Sequence, residues 1–373
     1  MGAVLRVAFD ATPLLGARTG VGVMTARVLN ELAQRDDIAI TAYATTWRGR
    51  GALPGLVPRG VRSVTRAMPA RPLHAAWQHR SVPPIEWFTG AIDVVHGVNF
   101  VVPPARHAAC IATVHDLTAI HHPEMCTPHT RRYPAFIRAA LRRGAWIHTV
   151  SNYVRDEIID VFRADPDRVV TVPNGVDPIP DADGAVGRDV AGGDRYVLAL
   201  GTIEPRKDYP ALIRAFDMVA ESDRDLRLVI AGPDGWGTDA FTAAVSETRH
   251  RDRVVRLGLT DEIGRAQLLR GATALAFPSV YEGFGLPPLE AMSVGLPVLA
   301  TGGGAVREVV GDAALVVPVR DPEALATGLA RIVSDDALRA DLSRRGVMRA
   351  AQFRWDITAR GLVALYRHAT VGS

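Results

Sequence analysis

Glu282 and Glu290 bracket the run E-G-F-G-L-P-P-L-E, with seven residues between the two carboxylates. Pro287 and Pro288 suit the first turn of a helix, where a missing N–H has no intrahelical partner to lose. The free N–H groups of that turn favour an anion. Gly283 and Gly285, with Phe284 and Leu286 beside them, let a backbone approach a ligand closely. Carboxylates bind hydroxyl groups, not phosphates. An anion at a helix N-terminus with polyols on either side is the chemistry of a sugar nucleotide, whereas the bland reading is a strand, a turn and a capped helix.

A second group stands after a predicted strand, in G-T-I-E-P-R-K. The 43 basic residues comprise 42 arginines and one lysine, Lys207. Under such a bias toward arginine, a surviving lysine points to a place for a compact ammonium, such as a phosphate site. Arg206 precedes it, and Glu204 is placed to orient Arg206.

The run Glu282 to Glu290 resembles the E-x7-E motif of retaining glycosyltransferases of family 4. The resemblance implies an α/β GT-B fold, two Rossmann-like parallel-sheet domains facing each other across a cleft. It implies that Glu282 contacts the donor sugar, Glu290 holds the ribose hydroxyls, and Arg206 and Lys207 are the donor-phosphate cations. Many members carry an arginine just after the strand glycine, where this chain has Thr202. That variant, with T-G-V-G, T-V-H-D-L and V-P-N-G-V-D, resembles the mannosyltransferase-B-like branch, which implies GDP-mannose as donor. By the same resemblance Gly20 and Gly22 lie in a loop facing the donor diphosphate and acceptor. His115 faces the donor sugar, with Asp116 fixing its tautomer. Backbone around Gly258 and Leu259 holds the base.

The implied reaction moves a hexose onto a hydroxyl of a glycan or of a polyprenyl- or other lipid-linked acceptor. A nucleotide diphosphate leaving group needs positive charge more than a proton, so Arg206 and Lys207 take the place of a general acid. The acceptor hydroxyl attacks from the same face and gives its proton to the departing phosphate, while Glu282 positions the sugar without becoming a covalent nucleophile. No cofactor or metal is expected. Asp181-Ala-Asp183 matches a metal-binding D-x-D but sits in a predicted linker, and His121, His122, Glu124 and His129 match no ligand spacing. Two other classes stay open: an epimerase acting on the sugar nucleotide without an acceptor, and a non-catalytic sugar-nucleotide binder. A pyridoxal-dependent phosphorylase needs a Schiff-base lysine, and Lys207 is already assigned to phosphate.

The elements that must carry these residues alternate strand and helix throughout, which predicts parallel sheets. Strands are predicted at 5–10, 38–44, 94–96, 109–114, 146–150 and 169–172, then at 196–201, 226–231, 254–257, 274–278, 297–300 and 314–317. In open parallel sheets ligands bind beyond the carboxyl ends of strands, where these motifs fall. Residues 1–177 are read as an acceptor-side domain, 178–194 as a Pro-, Gly- and Asp-rich linker, and 195–355 as the nucleotide-sugar domain. The resemblance implies that a terminal helix over 356–373 crosses back to the first domain. The length of 373 residues suits two domains, and 48% hydrophobic content suits a globular chain.

The net charge of +3 is too mild to imply nucleic acid. No apolar run reaches the roughly 18 residues of a membrane span. The N-terminus reads directly into a strand without a signal peptide, and two cysteines, Cys110 and Cys126, fit a reducing cytoplasm. The stretch His129 to Trp146 carries five arginines among apolar residues. It reads equally as a helix lying on the inner face of an anionic membrane and as a core helix with a solvated arginine face.

Overall fold

The computed structural model describes residues 4–16 and 20–371. The chain forms two compact units, Met1–Gly175 with Phe353–Ser373, and Val176–Gln352. In the first, seven strands lie in the order β3-β2-β1-β4-β5-β6-β7, with β1 Leu5–Asp10, β2 Ile38–Tyr43, β3 Arg62–Ser63, β4 Val94–Gly97, β5 Ala109–Val114, β6 Trp146–Thr149 and β7 Val169–Thr171. In the second, six lie in the order β10-β9-β8-β11-β12-β13, with β8 Arg195–Leu200, β9 Leu226–Ala231, β10 Val254–Leu257, β11 Ala274–Phe277, β12 Val298–Thr301 and β13 Leu315–Val317. All pairings are parallel.

Parallel strands are covered on both faces, so they read as continuous apolar runs. Apolar runs such as Val-Leu-Ala-Leu at 197–200 and Leu-Val-Ile-Ala at 228–231 are buried along their length. The predicted strands match to within a residue or two at each end. The two-residue edge strand β3 escaped prediction, because Arg62–Ser63 has neither length nor apolar character.

The predicted linker needs correction. Residues 184–191 form a helix in the second unit, with Asp183 accepting from the Ala185 N–H at 2.8 Å as its N-cap. The helix packs against helix Glu262–Gly271 so closely that a Cβ on Gly187 would lie 2.2 Å from the Gln267 carbonyl oxygen. Glycine and aspartate read as linker composition here because they serve as contact and cap. The D-x-D aspartates are thereby placed: Asp183 caps, and Asp181 lies 3.7 Å from Arg270.

The last helix, Trp355–Val371, belongs to the first unit and buries Leu362, Val363, Leu365 and Tyr366. A chain of hydrogen bonds ties it to the sheet. His148 Nε2 lies 2.9 Å from the Val172 carbonyl, which can only accept, so Nε2 carries the proton and Nδ1 accepts from the Thr113 hydroxyl at 2.8 Å. Thr113 Oγ1 then accepts from His96 Nε2 at 2.7 Å, and His96 Nδ1 accepts from the Tyr366 hydroxyl at 2.7 Å. All four side chains are buried, and every proton has one consistent place. Burial holds both imidazoles neutral, pushing His148 down to about 4 and His96 well below its ordinary value.

The helix over Tyr133–Arg142 has Phe136, Ile137, Ala139 and Ala140 buried in the first unit, with Arg138 and Arg142 exposed. The core reading of this stretch is the one the structure carries. Among the described residues, no helix is long and apolar enough to cross a membrane.

Candidate active site

Strands β8, β11 and β12 are neighbours in the second sheet, so the loops leaving their carboxyl ends meet. The loop after β8 makes a single 3-10 turn, Pro205–Lys207, and Asp208 takes a left-handed φ of 45°. The Val280 N–H donates to the Arg206 carbonyl at 2.9 Å and joins this turn to the loop after β11. The loop after β12 closes from the other side, where the Ala305 N–H donates to the Glu282 carbonyl at 2.8 Å. A Cβ on Gly304 would lie 2.2 Å from that same carbonyl oxygen, and Gly304 has φ +63°. The second glycine loop therefore holds the Glu282 backbone in place.

The result is a buried charge cluster. The Lys207 ammonium donates to Glu282 Oε1 at 2.6 Å and lies 4.6 Å from the centroid of the Phe277 ring. Arg206 pairs with Glu282 Oε2, donates to Glu204 Oε1 at 2.6 Å, and donates to the Tyr281 carbonyl at 3.0 Å. Glu204, Lys207 and Glu282 are each less than a tenth exposed. Burial alone would raise the Glu282 carboxyl, but Arg206 and Lys207 outweigh it and hold it down at about 2. The Lys207 ammonium is pushed below its ordinary value by burial, against the pull of Glu282. Two cations face two carboxylates. All four charges are therefore paired within the cluster.

Glu290 stands in the helix Leu286–Ser293, which begins after Gly285 without a side-chain cap. Glu290 pairs with Arg265, whose guanidinium is pushed below its ordinary value by burial. Arg265 Nε is buried and has no partner among the described residues. Sequence reasoning missed Arg265, since nothing in the helix Glu262–Gly271 marks one arginine among its neighbours. A pocket of about 300 Å³ opens at the start of the helix Glu262–Gly271. Gly258, Leu259, Asp261, Gln267, Gly187 and Val190 line it, so the helix read as linker supplies one wall. Asp261 caps the helix by accepting from the Gly264 N–H at 2.7 Å.

The remaining site candidates lie in the first unit. His115 is half-buried, and its Nε2 lies 2.8 Å from the Val98 carbonyl. That carbonyl fixes the proton on Nε2 and leaves Nδ1 as an acceptor. Asp116 does not fix the tautomer as expected, because its Oδ1 accepts from the Thr118 N–H at 2.9 Å. Burial holds the His115 imidazole below its ordinary value. Phe100, with φ 62°, stands edge-on to His115 and stacks on Tyr133 at 4.1 Å. Gly20 and Gly22 fall in the first turn of helix Gly20–Ala33, which the glycine run was expected to open, and residues 17–19 of that run lie outside the described residues. His121 pairs with Glu157 at 2.9 Å, and His122 stands 3.5 Å from Glu124.

Known proteins can be set beside this geometry. A sequence model described as Glycosyltransferase Family 4 matches residues 18–179, and one described as Glycosyl transferases group 1 matches residues 188–348. O-antigen chain mannosyltransferase B of Escherichia coli is 31% identical over 282 residues, 74% of each chain. The chain belongs to glycosyltransferase family 4. This family 4 glycosyltransferase is also 37% identical over 230 residues to D-inositol 3-phosphate glycosyltransferase of Frankia alni, 58% of this chain and 56% of that relative. Its GT-B fold is similar to sucrose-phosphate synthase from Thermosynechococcus elongatus, with TM-score 0.77 at 18% identity, covering 99% of this chain and 100% of the other.

Proposed function

We propose that this glycosyltransferase moves mannose from GDP-mannose, with retention and without a metal, onto a hydroxyl of a glycan or lipid-linked acceptor at the cytoplasmic face of the membrane. The observation that carries the reading is the buried cluster of Arg206, Lys207 and Glu282 in a chain similar to a mannosyltransferase over three quarters of its length. Arg206 and Lys207 transfer from Glu282 to the donor diphosphate, and their charge stabilises the leaving group as it departs. Glu282, released from the cations, turns to the sugar hydroxyls. Glu290, now paired with Arg265, takes the ribose, and the pocket at Gly258 and Leu259 takes the base. In the first unit, His115 keeps Nδ1 as an acceptor suited to a sugar hydroxyl.

The similarity to D-inositol 3-phosphate glycosyltransferase favours a second acceptor class, a phosphorylated polyol. A thermal-shift panel of GDP, UDP, ADP and dTDP with their sugar conjugates, with and without EDTA, tests the donor. A ligand at 100 times its dissociation constant adds about 2.7 kcal/mol, readily seen as a raised melting temperature. The expected result is a selective shift by GDP and GDP-mannose that EDTA leaves unchanged. Transfer of labelled mannose to lipid-linked glycan, and not to inositol phosphate, separates the acceptors. A shift by UDP alone, or one abolished by EDTA, overturns the donor or the metal reading respectively.

A further inference from the structure

The chain leaving β4 reverses sharply between Gly97 and Val101. A Cβ on Gly97 would lie 1.9 Å from the Val101 carbonyl oxygen, so only glycine fits where the reversal begins. The Val101 N–H donates to the Asn99 carbonyl at 2.7 Å, and Phe100 between them has φ 62°. A bond from residue i+2 back to residue i across a positive φ is the rare, strained form of γ-turn. Its central position suits glycine, yet this chain places phenylalanine there. Strain of this kind persists only where the surroundings hold it, and it gathers at binding and catalytic sites. The Phe100 ring supplies the hold. It is buried and stacks on Tyr133, with centroids 4.1 Å apart and planes 11° from parallel. The Phe100 N–H donates to the Thr113 carbonyl at 2.9 Å and ties the turn to the end of β5.

The turn reaches His115 twice. Val98, just before it, offers the carbonyl that accepts from Nε2 at 2.8 Å, and the Phe100 ring meets the imidazole edge-on at 5.9 Å. Nδ1 has no partner among the described residues. An imidazole whose Nε2 loses that carbonyl can move its proton to Nδ1, which then becomes a donor. The place also suits a ligand. In the order β3-β2-β1-β4-β5-β6-β7 the succession of strands reverses between β1 and β4, and ligands of open parallel sheets sit at such points. The second sheet reverses between β8 and β11, where Lys207 meets Glu282. A glycine at position 100 would make the same reversal without strain. Phenylalanine locks it, because the ring cannot leave Tyr133 without releasing the turn.

We propose that Phe100 is a positioning residue of the transferase: its γ-turn keeps the Val98 carbonyl on His115 Nε2, so that Nδ1 stays a bare acceptor for a sugar hydroxyl. The proposal rests on the reading that His115 receives such a hydroxyl. Nitrogen NMR of the full chain, isotope-labelled at histidine and free of ligand, tests it, with His115→Gln assigning the signals. At neutral to alkaline pH the wild type should show His115 as one tautomer, with the proton on Nε2. Alanine keeps the strain and loses the ring, so Phe100→Ala should mix the tautomers and lower kcat/KM for mannose transfer about tenfold, the effect of one hydrogen bond. Glycine takes a positive φ freely, so Phe100→Gly should keep the single tautomer and most of the activity. If the ring served packing alone, glycine would do no better than alanine, since both remove the ring and glycine loosens the chain. Melting temperatures show which variants remain folded, and the wild-type spectrum decides the tautomer even where a variant does not fold. Mixed tautomers in the wild type, a single tautomer in Phe100→Ala, or a glycine variant no better than alanine in both readouts would each overturn the proposal. The spectra need no donor. The expected tautomers in a protein that moves no mannose from GDP-mannose would uphold the positioning and overturn the donor reading instead.

Discussion

Lys207 is the residue where composition, position and geometry converge. It is the one lysine of the chain, it follows a central strand, and its ammonium is buried against Glu282. Losing a charged hydrogen bond to the diphosphate costs about 1.5 to 3 kcal/mol, so Lys207→Ala should lower kcat/KM by about one to two orders of magnitude. Steady-state kinetics with the donor measure this, and wild-type kinetics in the variant would remove Lys207 from the site. Asp10 offers a test of a different kind. It is buried, it accepts from the Thr12 N–H at 2.9 Å, and burial pushes its carboxyl up to about 6. A raised carboxyl favours the folded state while protonated, so its contribution is complete below about pH 4 and lost as pH rises through about 6, a swing of about 3 kcal/mol. Asparagine keeps the acceptor oxygen without the charge. Urea melts should therefore show Asp10→Asn gaining stability over the wild type at pH 8 relative to pH 4, and a pH-independent difference would contradict the assignment.

At the scale of elements, the buried series Tyr366, His96, Thr113 and His148 joins the terminal helix to strands β4, β5 and β6. Thr113 is its centre, donating to one histidine and accepting from the other. Thr113→Val keeps the shape and removes the hydroxyl, which orphans a donor on His96 and an acceptor on His148. Each unsatisfied buried group costs about 1 to 3 kcal/mol, so denaturant unfolding should show a loss of about 2 to 6 kcal/mol. Thr113→Ser should recover most of it. A valine variant as stable as the wild type would show that water or rearrangement satisfies both histidines. The helix over 184–191 makes the complementary point, since it forms because a neighbouring helix accepts its glycines rather than because its own residues favour a helix.

For the whole molecule, two units with separate cores divide the proposed labour. Arg206 and Lys207, proposed to hold the diphosphate, Glu290 and the pocket at Gly258 all lie in the second unit, so GDP alone should act there. Hydrogen exchange should slow in residues 201–208, 257–264 and 281–292 on adding GDP, while β4 to β6 of the first unit are unchanged. Protection concentrated in the first unit would contradict the placement of the donor.

How much of this could be read without the structure follows from the range of each interaction. Strand positions were legible because a parallel strand is covered on both faces and leaves a continuous apolar run. The motif at Glu282 was legible because a loop and a helix start are local, and Lys207 because its type is singular. Partners were not legible. Lys207 and Glu282 are 75 residues apart and meet only because β8 and β11 are neighbours in the sheet. The Val98 carbonyl fixes the His115 tautomer, and Arg265 faces Glu290, through packing that no local pattern encodes. The sequence by itself determined where the strands lie and which ionisable residues follow them. Tertiary structure alone decided which charges neutralise one another, because an ion pair between distant loops depends on the order of strands in the sheet.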